Sequence, residues 1–178
     1  MEFNDLIVRR RSVRRYDADR KVTKEQVNQI IEAVMLAPTW KNSQTGRYYA
    51  LMPDEMPEGF AQSILPGFNA KRTTGAALIV TTFVKGISGF NDGEPANKLG
   101  NHWGAYDLGL QSAYFCLKAA DMGLDTLIMG IRYGDTIRSA LHIPENEEIV
   151  SVLALGYRAE EPVIRERLKP DDVLTFCQ

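Results

Sequence analysis

The stretch over 103–122 constrains this chain most, because its apolar side chains do not gather on one stripe. Trp103, Tyr106, Leu108, Leu110, Ala113, Tyr114, Phe115, Leu117 and Ala119 occur at helical density and point round most of the circumference. A helix that is apolar on nearly every side sits at the centre of a large core or is shared with another chain. With 178 residues available, a single core stays small, and sharing is the better expectation. Asp107, Gln111, Lys118 and Asp121 within the stretch argue against a membrane span. Gly123 is placed to cap its C-terminus.

Periodicity supplies the remaining elements. A first helix is expected over 2–9, with Phe3, Leu6 and Ile7 on one face. Thr23 and Gln26 form a capping box, followed by Val27, Ile30, Ile31 and Val34 at helical spacing, and Pro38 ends that segment. Strands are expected over 47–52, 76–84, 126–131 and 149–157. A short helix over 57–65 is broken by Pro66-Gly67, and Asp135 is expected to cap another that ends near His142. The Gly-, Asn- and Asp-rich connection over 85–101 reads as a lid or as a surface loop. The tail over 158–178 has few apolar residues and is expected to lie across another surface. Without repeat, low-complexity tract or linker, 1–178 reads as one α+β domain.

Composition narrows the partners. A formal charge of −2, from 21 basic and 23 acidic side chains, argues against nucleic-acid binding, which needs a basic face. No stretch reads as a membrane partner or a signal segment. Cys116 and Cys177 stand far apart and read as reduced thiols, so a cytoplasmic location is expected. His102 and His142 have no ligand-spaced companions, and no metal site is expected.

Against this mildly acidic background, the run Arg9-Arg10-Arg11-Ser12-Val13-Arg14-Arg15 is conspicuous. In an extended segment Arg10, Ser12 and Arg14 share a face and suit a small anion; a solvated basic turn or a nucleic-acid arm are the alternatives. Arg165 and Arg167 alternate in the same way near the other end. The two pairs suit one phosphate, although spacing does not show that they meet. Trp40 and Tyr106 read as packing or as stacking surfaces, and His102 as a capping or surface group or a proton donor.

The ordered set Arg10-Arg11-Ser12-Val13-Arg14, Ala37-Pro38-Thr39, Asn42-Ser43-Gln44 and Asn69-Ala70-Lys71-Arg72 resembles the nitroreductase family of FMN enzymes. So do Ala120-Asp121-Met122-Gly123, Leu153-Ala154-Leu155-Gly156-Tyr157 and the Arg165/Arg167 pair. The resemblance implies a central, mostly antiparallel sheet flanked by helices, in an intertwined homodimer with FMN at the interface. It places Arg10 and Ser12, with Arg165 and Arg167, at the FMN phosphate and ribityl chain. Arg11 is counted with that site by its place in the run, although its own charge reads as structural or solvated.

By the same resemblance, Arg14 and Arg72 lie near the pyrimidine edge of the flavin, where positive charge stabilises the reduced ring. Asn69 bonds the ring, and Pro38, Thr39 and Asn42 come from the partner subunit. Met129 and Gly130 lie beside the flavin, where main-chain N–H groups approach N5 and O4. Four departures stand out: Met129 where the family often has Glu, Thr45-Gly46-Arg47 after Gln44 in place of Pro and Trp, Arg72 for Lys, and a short 85–101 segment.

The activity implied is reduction of FMN by NADH or NADPH and reduction in turn of a small aromatic, nitro or quinone-like acceptor, in a ping-pong cycle. The flavin carries the chemistry, so no protein acid or base is expected. No GxGxxG follows a strand, and the nicotinamide is expected to stack on the flavin. A flavin-binding protein for storage, sensing or regulation is the alternative. The sequence names neither the acceptor nor the preferred nicotinamide cofactor.

Overall fold

A computed structural model describes residues 2–177. Its centre is the sheet β1 (Gly46–Leu51), β2 (Ala77–Val84), β6 (Glu147–Gly156) and β5 (Asp125–Met129), antiparallel at every pair and in the order β1-β2-β6-β5. β2 is buried at every position before Val84, as a central strand covered on both faces must be. On β6 the pleat sends Val152 and Ala154 to one face and Leu153 and Leu155 to the other.

The first face packs under α3 (Phe60–Ile64) and α6 (Gly134–Leu141), with Ile64, Leu78, Val80, Leu127, Met129 and Ile137 in its core. The second packs under α2 (Lys24–Val34) and α5 (His102–Asp121), with Ile30, Val34, Ile79, Phe115 and Ala119. Thr23 and Gln26 form the expected reciprocal capping box, worth about 1 kcal/mol. The α+β class, the antiparallel sheet and the flanking helices agree with expectation.

Two local expectations need correction, and two further features stand beside them. α4 (Gly67–Arg72) follows directly on the Pro66 break; only Asn69 and Ala70 of its residues are buried, too few for a periodic signal. Asp135 lies in the first turn of α6 and is not its cap; Tyr133 holds that position without a side-chain bond. The 85–101 segment is a folded ribbon, β3 (Phe90–Asn91) paired with β4 (Glu94–Pro95). Its turn, Asp92-Gly93, has φ of 49° and 85°, as a two-residue hairpin loop requires.

The last feature is α5, expected to be shared with another chain. Within its own chain only one side is buried, through Asp107, Leu108, Gln111, Phe115 and Ala119. Tyr106, Gly109, Ala113 and Tyr114 face outward. α1 (Phe3–Arg9) buries none of its residues, and Phe3, Ile7 and Val8 are exposed. Among the described residues the tail pairs with its own chain only at its start, where Ala159 donates to the Arg15 carbonyl; further on, Val163, Ile164, Leu168, Val173 and Phe176 are all more than 70% exposed.

Candidate functional site

Residues 12–17 run extended along the end of the sheet. Val13 donates to the Thr126 carbonyl at 3.0 Å and Asp17 to that of Tyr157 at 2.9 Å. Val13 turns into the core and Ser12 and Arg14 turn out, as a pleat requires, but the alternation breaks next: Arg15 is exposed and Tyr16 turns in. The Tyr16 hydroxyl donates to the Val13 carbonyl at 3.1 Å, and burial pushes its pKa well up. Arg10 is half-buried. Arg11 donates to the Arg10 and Ile7 carbonyls, at 2.8 and 3.4 Å, closing the end of α1.

Two hollows flank this segment. One, of about 690 Å³, brings Arg10 together with Ser112 and Cys116 of α5, Ile128 of β5 and Gly130. Burial raises the Cys116 thiol pKa, opposed by the Thr126 hydrogen bond and by the Arg10 charge. The other, of about 570 Å³, brings Arg14 and Arg72 together with Arg15 and Lys71. The expected site residues are thus divided between neighbouring hollows, Arg10 and Gly130 in the first and Arg14 and Arg72 in the second.

Beyond β5 the chain is held from two sides. Asn69 Nδ2 donates to the Ile131 carbonyl at 3.2 Å. Arg132 donates to the Gly130 carbonyl at 2.8 Å and also to the Ile149 carbonyl. Fixing these carbonyls fixes the peptide planes, and no loop hydrogen bond among the described residues uses the N–H of Gly130, Ile131 or Arg132. A Cβ on Gly130 would meet nothing of its own chain. The result is a short run of free donors on an open surface, suited to a ring that carries acceptors. Arg132 was not singled out from the sequence, where one arginine past a strand carries no pattern. Met129 is buried in the core of the opposite face, so any contact it makes here falls to its main chain.

The structure keeps two other groups apart from these hollows. Trp40–Asn42 form a 3₁₀ turn whose Trp40 N–H donates to Asp107 Oδ2 at 2.9 Å. Thr39 Oγ1 accepts from the Gln44 N–H, and Asn42 Oδ1 from the Gln44 side chain. Asp107 and Cys116 are separated along α5 by about 13 Å at the helical rise. Pro38, Thr39 and Asn42 line neither hollow on their own chain. Trp40 packs on Trp103 at 4.9 Å between ring centroids, the plain packing role. Arg165 and Arg167 are exposed and make no hydrogen bond or ion pair among the described residues, so one chain does not bring them to Arg10.

Comparison with known proteins follows the same lines. Residues 7–157 match the model of the nitroreductase family. A protein of Archaeoglobus fulgidus, provisionally named NADH dehydrogenase/NAD(P)H nitroreductase, is 26% identical over 175 residues, 94% of either chain. Among solved structures, a nitroreductase family protein of Streptococcus pneumoniae superposes with a TM-score of 0.83 at 19% identity, covering 99% of this chain and all of that one. A provisionally named nitroreductase of Exiguobacterium sibiricum, crystallised with FMN, gives 0.83 at 23% identity, with 99% and 98% covered.

Proposed function

The chain belongs to the nitroreductase family, and from that footing we propose that it is an FMN-dependent NAD(P)H oxidoreductase. It forms a single FMN-binding domain, works as a homodimer in the cytoplasm, and reduces a small aromatic, nitro or quinone-like acceptor in a ping-pong cycle. The observation that supports the reading is that the segment carrying Arg10, Ser12 and Arg14 runs between two hollows, one shared by Arg10 and Gly130 and the other by Arg14 and Arg72, with Asn69 bonded to the open chain that follows β5.

These residues fit FMN. Arg10 and Ser12 would hold its phosphate and ribityl chain, with Arg165 and Arg167 closing on them. Arg14 and Arg72 put positive charge at the pyrimidine edge, which favours the reduced cofactor. Asn69, its nitrogen committed to Ile131, keeps a carbonyl oxygen for the ring. When bound, FMN supplies hydride acceptance from NADH or NADPH and electron delivery to the acceptor.

A second copy is supported by what one chain leaves open. The outward side of α5, α1 apart from half-covered Leu6, and the few apolar residues of the tail are exposed. Pro38, Thr39 and Asn42 reach a flavin at Arg10 only from another chain. Burial of Met129 in the core removes one motive for the alternative, a flavin-binding protein without turnover. The purified protein should be a yellow dimer that releases FMN and oxidises NAD(P)H with a quinone. A colourless protein that takes up no FMN sinks the proposal.

A further inference from the structure

We propose that the hollow between residues 14–16 and α4 is a second anion site, which receives the diphosphate of the nicotinamide dinucleotide reductant. The inference rests on the FMN reading above. Arg14, Arg15, Lys71 and Arg72 line this hollow beside Tyr16, in a volume of about 570 Å³. Glu160 is the only carboxylate among its lining residues, 3.5 Å from Arg15 in an exposed pair. The Lys71 ammonium has no hydrogen bond or ion pair among the described residues. The Arg72 guanidinium lies 5.6 Å from the ring centroid of Phe68, itself half exposed. Four cations round one hollow repel each other, and a polyanion relieves that repulsion.

The direction of the chain says which anion this is. Arg10, Ser12 and Arg14 follow each other along an extended segment, so Arg10 and Arg14 are separated by about 13 Å at the strand rise. With the phosphate at Arg10 and Ser12 and the pyrimidine edge at Arg14 and Arg72, the flavin is accounted for from end to end. Arg15 and Lys71 are left over, in a hollow that Arg10 does not line. The reductant is the substrate that must bring a further polyanion, because its diphosphate leads away from the stacked nicotinamide. The chain has no glycine-rich dinucleotide fingerprint to bind it elsewhere. Surface cations at the ring edge meet the need.

The test uses FMN-loaded protein, inorganic pyrophosphate as the probe, and Lys71→Gln, an exposed change that the fold tolerates. Calorimetric titration should show pyrophosphate binding that weakens as salt rises. Pyrophosphate should also compete with NADH and NADPH in bleaching the flavin. Lys71→Gln should weaken pyrophosphate roughly tenfold and raise the reductant KM by a similar factor, about one charge-assisted contact. The KM of a neutral quinone and the affinity for FMN should stay within about twofold.

FMN-loaded protein that binds no pyrophosphate overturns this proposal alone. So does loss of FMN from Lys71→Gln, which assigns the hollow to the flavin. A KM change confined to sulfonated quinones assigns it to the acceptor and overturns the proposal too. A protein that takes up no FMN is recognised from its spectrum beforehand; it overturns the earlier reading and the reductant assignment with it.

Discussion

The Asp107 carboxylate accepts a hydrogen bond from the main-chain N–H of Trp40 at 2.9 Å. The same oxygen accepts from Ser88 Oγ at 2.6 Å, so one buried acid on α5 holds both the 38–44 loop and the β3–β4 ribbon. Asp107→Ala leaves the Trp40 N–H without an acceptor and should cost about 2–3 kcal/mol. Asp107→Asn keeps the volume and should cost less. Urea unfolding measures both, and equal losses would show that the carboxylate charge, which both variants remove, matters and that volume does not.

Gly104 faces the Phe83 ring so closely that a Cβ there would run into it. Gly104→Ala should therefore destabilise by about 2 kcal/mol, against the usual gain from alanine in a helix. Thermal unfolding checks the sign: a raised Tm would show that α5 and β2 have room to separate.

The outward side of α5 supports a second copy, and Ala113 stands on it. Ala113→Arg should turn a dimer into a monomer on size exclusion and release FMN, since a charge in the middle of an apolar interface lacks a partner. An unaffected dimer would move the interface elsewhere, and a monomeric wild type would overturn the dimer.

The Tyr49 hydroxyl donates to Glu147 at 2.9 Å, and its pKa is pushed up to about 12, first by burial and then by that carboxylate. A tyrosine raised in the folded state stabilises fully below its unfolded pKa, near 10, and loses this as pH climbs through the folded value. Wild type should lose stability between about pH 10 and 12, and Tyr49→Phe should lose less. Parallel curves from denaturation at stepped pH would place the sensitivity in Tyr16 or Tyr48, which burial raises as well.

Arg10→Ala should weaken FMN binding by roughly tenfold or more, the effect of removing a charged phosphate donor. Adding Arg165→Ala should weaken it further. Retained affinity in the double variant, read by fluorescence titration of FMN, would show that the two clusters do not share the phosphate.

Much of this was legible in the sequence for local reasons. The Thr23–Gln26 box and the spacing of Val27, Ile30 and Val34 are contacts within a few residues, and periodicity reports them directly. Alternation over 10–14 likewise became exposed Ser12 and Arg14 round buried Val13. What stayed hidden is long-range. Arg132 matters through carbonyls at 130 and 149, and Asp107 through residues at 40 and 88, separations that no local pattern encodes. Asp92-Gly93 was a readable hairpin signal, passed over because the strands on either side are only two residues long. α5 looked buried all round because composition counts apolar surface without saying which chain covers it.

The central ladder of the sheet joins β2 to β6, with Thr81 bonded to Ser151, 70 positions further along the chain. At ribosomal rates of about 5–20 residues per second, roughly 4–14 s pass between the synthesis of these two strands. For that interval β2, the most continuously apolar segment, can pair only with β1. The nascent chain therefore carries a two-stranded ribbon whose β2 edge, later covered by β6, stays bare until the last strand is made. Chaperone demand and inclusion-body formation during expression should follow this wait, and slower growth temperatures that lengthen it should help only if the bare edge is shielded.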